Sequence, residues 1–253
     1  MWWTSNILMR VIGGSRAYGT HNETSDWDFR GVALPSVNFL IGFPPGEDSS
    51  FTKEVKNKFE DTVIHALSKY CRLALNGNPN ILETLYCRDQ EVLFMTQTGQ
   101  ELMDMRDLFL SKRCFSSLSG YALGQLKRMR VSNSNPKHGS NKKEIEKYGF
   151  DTKNAMHLIR LLIMGKELLQ NGELKIYRDN DRDFLLDIRH GKYTPYQIEK
   201  MAEEMDAECG YMRDSSPLPN EPDRDKIETW LAGIQLRYLN WDMSIFDVIK
   251  GEK

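Results

Sequence analysis

The most constraining feature of this chain lies near its N-terminus, where an apolar run, Ile7 to Ile12, ends at Gly13-Gly14-Ser15. The run reads as a short strand. The glycines leave it with no side chain to block close approach, so backbone N–H groups there can point at an anion. Ser15 adds a hydroxyl, and Gly19 allows a second sharp turn. A second extended run, Phe29 to Leu34, stops at Pro35. If the chain is extended from residue 26, alternate side chains share a face. Asp26, Asp28 and Arg30 then project together, and Trp27 and Phe29 turn the other way, into the core. Two carboxylates on one face repel each other unless a cation sits between them. Magnesium prefers oxygen ligands and usually keeps phosphate oxygens among them. A pair of such ions roughly 4 Å apart can activate an attacking hydroxyl and neutralise a leaving pyrophosphate. Taken singly, a Gly-Gly-Ser is a turn and an Asp-x-Asp a surface feature; the order and spacing of both together carry the signal.

The rest of the chain reads as an α+β protein. Residues 42–50 hold two Pro, two Gly and two Ser, which predicts a loop. A third strand is expected over Lys58–His65, then a helix over Ala66–Leu75 ended by Asn76-Gly77. Asn78-Pro79 opens another helix, with Pro where its missing N–H is harmless. From about Thr96 the pattern turns helical, with apolar residues at three- and four-residue spacing in Met103–Leu110, Phe115–Arg130 and Asn154–Gln170. Ser132–Gly149, rich in Ser, Asn, Gly and Lys, reads as a mobile loop. Thr194-Pro195-Tyr196-Gln197 reads as a capping box, Ser215–Pro222 as a linker, and Asp225–Asn240 as a final helix. The composition shift near residue 100 divides the chain into a strand-containing core over 1–105 and a helical region over 106–253 that would bind substrate or acceptor.

A chain of 253 residues with 40% hydrophobic and 28% charged residues can bury a core and is not a disordered segment. The net charge of −2 hides an uneven distribution. Leu108–Lys147 carries nine Lys or Arg against two acids, and Tyr196–Thr229 ten acids against four bases. A basic block can contact phosphates, though a charge run alone is more often a solvated surface. Cys71, Cys87, Cys114 and Cys209 are too far apart in sequence for a CxxC metal or redox pair, and no secretory leader is evident. A reduced, cytoplasmic setting is expected. No apolar run approaches the roughly 18 residues of a membrane span. The glycines do not form the GxGxxG of a dinucleotide fold, which argues against an oxidoreductase.

Gly14-Ser15, the gap to Gly19, and Ser25-Asp26-Trp27-Asp28 resemble the signature of nucleotidyltransferases of the DNA polymerase beta superfamily. Further islands resemble a subgroup of predicted nucleotidyltransferases associated with RNA ligases in bacteria and phages. They are Asp61–Tyr70, Asn78–Leu85, Ala155–Leu161 and Leu185–Gly191, in that order. The resemblance implies a polymerase-beta-like core with a short mixed sheet, followed by an all-helical C-terminal region. It implies transfer of a nucleoside monophosphate from a triphosphate, with two Mg2+ (or Mn2+) ions, to a hydroxyl acceptor.

By the same resemblance, Asp26 and Asp28 hold the metals and Gly14 and Ser15 hold phosphates, with Arg16 and Tyr18 in the same nucleotide-binding turn. A third carboxylate is expected from the later strand, at Asp61, with Glu60 the alternative; only one of the two can face Asp26 and Asp28. Lys69 either reaches the triphosphate or lies along the surface. His157 and Arg160 share a helix face with Lys153, opposite Ala155, Leu158 and Leu162, and either grip the nucleotide or form an interior hydrogen-bonded pair. Arg189 and His190 suit the C-terminal end of a helix, a structural role. Asn78-Pro79 and Glu83 read as a helix start and a packing contact. RNA is the acceptor that the resemblance and the basic block favour, with an RNA ligase as partner. Transfer to a protein hydroxyl is the alternative, and a non-catalytic nucleotide sensor or scaffold is a third reading.

Overall fold

A computed structural model describes residues 6–41, 51–57, 60–134 and 142–251. The predicted loop over 42–50 lies outside the described residues. Strand β1 (Ile7–Gly13) leads into a one-turn helix α1 (Gly14–Tyr18) and then strand β2 (Trp27–Ala33). Helix α2 (Val37–Ile41) and strands β3 (Thr52–Lys56) and β4 (Glu60–Ala66) follow, then α3 (Leu67–Leu75), α4 (Pro79–Leu85), β5 (Val92–Met95) and α5 (Gln97–Asp104). The strands form one mixed sheet in the order β3-β4-β2-β1-β5. β2 and β4 are parallel; the other pairings are antiparallel.

The expected strands over Ile7–Ile12, Phe29–Leu34 and Lys58–His65 are present within a few residues of their expected ends, as are both helices that follow them. Strands β3 and β5 were not foreseen. They are short edge strands, one carrying two lysines and a glutamate and the other a four-residue apolar run, and neither offers a clear alternation. β1 lies inside the sheet between β2 and β5 with its residues buried or half-buried, whereas β2 and β4 are exposed at their N-terminal ends and buried at their C-terminal ends. The parallel pair therefore leaves the sheet open at the start of β2 and β4. Helix α3 packs Leu67, Tyr70, Cys71, Ala74 and Leu75 inward, at the spacing of one helix face. Asn78 caps α4 by accepting from the Asn80 N–H, with Pro79 in the first turn.

The second half is helical: α6 (Lys112–Ser134), α7 (Lys142–Tyr148), α8 (Thr152–Asn171), α9 (Arg182–Arg189), α10 (Pro195–Ser215) and α11 (Arg224–Gly251). The predicted loop over Ser132–Gly149 is corrected in part, because residues 142–148 form α7. Its apolar Ile145 is buried, and Arg189 pairs with Glu144 on it, which gives a lysine-rich segment a reason to be helical. Helix α8 is the hub, packed by α6, α9 and α10 and buried nearly all round. The Thr194 capping box starts α10 as expected, with Gln197 reaching back to the Thr194 N–H. The Ser215–Pro222 connection docks against the start of α6, where the Lys112 N–H donates to the Pro219 carbonyl. Helix α11 then returns to the N-terminal half. Its Ile227 and Ile234 join Leu8, Leu67 and Leu102 in one core, and Trp230 donates to Glu101.

The turn after β1 belongs to both halves. Ala17 and Tyr18 pack into the helical core with Leu158, Leu161 and Ile176. Glu83 of α4, 8% exposed, accepts from the Tyr18 hydroxyl through one oxygen and from Arg160 of α8 at 2.8 Å through the other. The Arg160 guanidinium also lies 3.6 Å over the Tyr18 ring. Removing one member of a buried ion pair leaves an uncompensated charge and costs about 3–5 kcal/mol. Glu83→Ala is expected to lower the melting temperature by roughly 10 °C, and Glu83→Leu combined with Arg160→Met to recover most of that loss. Thermal unfolding followed by circular dichroism checks both, and a wild-type melting curve for Glu83→Ala would refute the linkage.

Candidate active site

The ladder between β1 and β2 pairs Gly13 with Asp28, and the ladder between β2 and β4 pairs Asp28 with Asp61. Directly paired residues point to the same side of a sheet. Gly13, Asp28 and Asp61 therefore form a row across one face, and Glu60, paired with Trp27, lies on the other. Of the two candidates for the later carboxylate, Asp61 is the one that shares a face with Asp28.

Gly14 has φ +61, in the left-handed region, and a Cβ built there would sit 1.9 Å from Asp28 Oδ2. The Asp28 carboxylate is thus laid directly on the glycine turn, and no other residue type fits there. Partly exposed Ser15 follows on α1. Gly19 closes that helix at φ +79, and its missing Cβ leaves room for the Tyr177 ring. The loop onward to β2 is held by its own side chains. Asn22 Oδ1 accepts from the Thr24 N–H and from the Thr24 and Ser25 hydroxyls, and the Asn22 N–H donates to Ser25 Oγ. Arg16 donates to the Ser25 carbonyl at 3.0 Å and lies 3.8 Å over the Trp27 ring. This turn delivers Asp26, exposed, to the start of β2.

Arg30 stands between the carboxylates. Its guanidinium is 3.1 Å from Asp28 Oδ1 and 3.7 Å from Asp61 Oδ2, and it also donates to the Asp61 carbonyl. Burial pushes the Asp28 carboxyl above its usual range; Arg30 pulls it back and Asp61 adds to the rise. A carboxylate in that position gains from any added positive charge. Oxygen donors and accumulated negative charge fit a hard divalent cation in chemistry. Among the described residues, however, no three His, Cys, Asp or Glu side chains converge into a metal-binding group. Asp28 and Asp61 are brought together, and Asp26 stands at the rim.

A model of the RNA repair pathway DNA polymerase beta family (RlaP) matches residues 3–233. The chain belongs to that family. No curated protein matches the chain. A crystal structure of a nucleotidyltransferase-like protein from Exiguobacterium sibiricum 255-15 aligns over 99% of this chain and 76% of its own, at 12% identity and a TM-score of 0.27, too distant to carry an argument. The five-stranded mixed sheet and helical second half are those expected of a polymerase-beta-like nucleotidyltransferase. Among the described residues no helix is long and apolar enough to cross a membrane.

The structure places the other expected site residues of this family member less uniformly. Tyr18 and Arg160 are interior, 6% and 3% exposed, and both are engaged by Glu83. Burial, then Glu83, raises the Tyr18 phenol, which stays protonated and able to donate. His157 stacks edge-on to Tyr18, and burial, followed by Arg160 and Lys153, drives its imidazolium down to about 3. Of the His157, Arg160 and Lys153 stripe, only Lys153 is exposed. Lys69 comes to the neighbourhood of His65, whose imidazolium is lowered to about 4 by burial, then Lys69 and Arg30. That is four residues up β4 from Asp61, about 13 Å along the strand.

The expectation that Trp27 and Phe29 enter the core is corrected. Trp27 is 40% exposed and stacks on Phe29, and Arg16 and Arg10 cover the two rings. This end of the sheet's other face stays open to solvent, and cations cap its aromatic surface. Arg30 and Glu83 are the important residues to which sequence reasoning gave no role in the site. For Arg30 the alternation already placed it with the aspartates; for Glu83 nothing local signalled two long-range partners.

The fit of Asp28 onto Gly14 can be tested by stability alone. Gly14→Ala is expected to cost about 2 kcal/mol through the positive φ and the displaced carboxylate. Asp28→Ala in the same chain should return part of that cost, a coupling that a double-mutant cycle measures. Gly120→Ala in α6, with open space at its Cβ, serves as the control and should be neutral or stabilising. A Gly14→Ala protein as stable as wild type would contradict the close approach.

Proposed function

We propose that this protein transfers a nucleoside monophosphate from a nucleoside triphosphate to a hydroxyl group on RNA. The observation that carries the reading is the row of Gly13, Asp28 and Asp61 across the open end of the sheet, with the Asp28 carboxylate seated on Gly14. A phosphate-cradling turn and paired carboxylates are what this chemistry needs within reach of each other, because phosphoryl-type transfer is mostly positioning and charge neutralisation.

In this reading Gly14 leaves the backbone bare for the β- and γ-phosphates, and Ser15 Oγ donates to a phosphate oxygen. Asp26, Asp28 and Asp61 would hold the metal ions. When bound, magnesium or manganese would supply positive charge at the transferring phosphoryl group and the departing pyrophosphate. Asp61 accepts the proton of the attacking hydroxyl as the new O–P bond forms and the bond to pyrophosphate breaks. Arg30 keeps Asp28 and Asp61 from repelling each other apart while no other cation is present. Tyr18, His157 and Arg160 act as positioning residues: they fix α1 and therefore the turn, rather than touch the nucleotide. Arg16 does the same for the loop that carries Asp26. Lys69 is placed to meet a ligand only if that ligand extends along the sheet toward His65.

RNA as acceptor and an RNA ligase as partner are supported by the RNA repair pathway for which the family is named and by the basic stretch that leads into α7. Each α-labelled nucleoside triphosphate, incubated with the protein, magnesium and total RNA, tests the reading. Label is expected on RNA for the wild type. Asp28→Ala and Asp61→Ala should each lower it by about a thousandfold or more, and Glu60→Ala should leave it near wild type. Full activity in Asp28→Ala would sink the proposal. Label on protein instead of RNA would move the acceptor to a protein hydroxyl, and bound nucleotide with no transfer to either would make the protein a sensor.

A further inference from the structure

A separate cleft of about 250 Å³ opens beyond the loop that carries Asp26. It is lined by Asn22 from that loop, Glu144, Lys147 and Tyr148 from α7, and Arg189 and His190 from the end of α9. None of these residues lines the pocket beneath Gly13 and Gly14. We infer that this cleft is the acceptor subsite, and that it takes the phosphate backbone of single-stranded RNA as the strand approaches the carboxylates. This rests on the RNA-acceptor reading above.

The donor inventory supports it. Asn22 Oδ1 is used up inside its own turn, so what Asn22 can offer a ligand is its amide N–H pair. Lys147 and His190 are exposed and contribute an ammonium and an imidazole. Glu144 is the one acid in the lining, and Arg189 neutralises it at 2.6 Å while also donating to Thr152. The surplus is therefore of donors and positive charge, which suits a phosphate diester. Tyr148 adds an aromatic face, already under the Lys147 ammonium at 4.8 Å, on which a base can stack. Its place is fixed by Gly191, where φ is +73 and a Cβ would meet the ring at 2.5 Å.

Position supports it as well. The cleft wall includes Asn22, four residues before Asp26, in the same side-chain-locked loop. Exposed Lys153, one residue into α8, acts electrostatically on both Glu144 in the cleft and Asp28 in the catalytic row. A strand held by Lys147 and His190 therefore has a further cation within electrostatic reach of both the cleft and the carboxylate row. A triphosphate alone has no need of a second site across the loop, whereas an acceptor strand does.

Fluorescence anisotropy with a 5′-labelled single-stranded RNA 12-mer of mixed sequence tests the inference, with wild type compared with Lys147→Ala/His190→Ala. Binding of labelled ATP by equilibrium dialysis and a melting curve are measured on the same samples. The double variant is expected to bind RNA about tenfold more weakly. Its plot of log affinity against log salt should be shallower by roughly 0.7 for each phosphate that the variant no longer neutralises, with ATP binding and melting temperature unchanged. Unaltered RNA affinity in the double variant would overturn the subsite while leaving nucleotidyl transfer to RNA intact. A wild type that binds ATP but no RNA would overturn both the subsite and the RNA acceptor. Loss of ATP binding in the variant would reassign the cleft to the nucleotide.

Discussion

Glu83 ties the glycine turn at the end of the sheet to the helical half of the molecule. It is an acid in the interior, and each of its oxygens is satisfied by a different part of the chain, Tyr18 from the helix of the glycine turn and Arg160 from the central helix. Stacking of the guanidinium on the Tyr18 ring closes the triangle. A buried pair of this kind is not a strong source of net stability, since desolvation offsets most of the attraction. Its use is specificity: the observed placement of α1, α4 and α8 gives each Glu83 oxygen its own donor. Two backbone-directed contacts add to it, the Arg178 N–H to the Tyr18 carbonyl and Arg182 to the Gly19 carbonyl. The glycine turn is thus a part of the sheet in sequence and a part of the helical half in packing.

That arrangement explains how a five-residue helix can hold a precise position. An isolated helix of such length does not persist in water. Here α1 is pinned from the interior through Tyr18, from its C-terminus through Gly19 against Tyr177, and from the loop through Arg16. Its N-terminal glycine is free of side-chain bulk on the one side where Asp28 must approach. Mutual repulsion between Asp28 and Asp61 is contained by the same logic. Arg30 arises from the strand that bears Asp28 and reaches the Asp61 carboxylate on the neighbouring strand, so the sheet supplies its own counter-ion, in fixed register.

Much of this was legible in the sequence because it is local. The strand ending in Gly13-Gly14, the alternation through Asp28 and Arg30, the Asn78-Pro79 helix start and the Thr194 capping box each depend on neighbours within a few residues. The choice between Glu60 and Asp61 was not local. Alternation left both open, and only the parallel register of Trp27 with Glu60 and Asp28 with Asp61 separates them. The edge strands were missed because four or five residues, charged in one case and uniformly apolar in the other, give no period to read. Alternation put the Trp27 and Phe29 rings on the face opposite the aspartates, but the cover on that face is two arginines drawn from β1 and α1 rather than a core.

Those arginines show how charge is distributed around the site. On one face of the open end of the sheet, Arg30 answers two carboxylates; on the other, Arg10 and Arg16 answer aromatic rings. Guanidinium suits both tasks because it is planar, always charged and weakly hydrated, so it can lie flat on a ring or fork toward oxygen. A lysine at any of these positions would keep the charge and lose the geometry. The open end of the sheet therefore carries positive charge on both of its faces, and the negative row on one. The row itself is half-buried, so the attraction within it is less screened by salt than a surface pair would be.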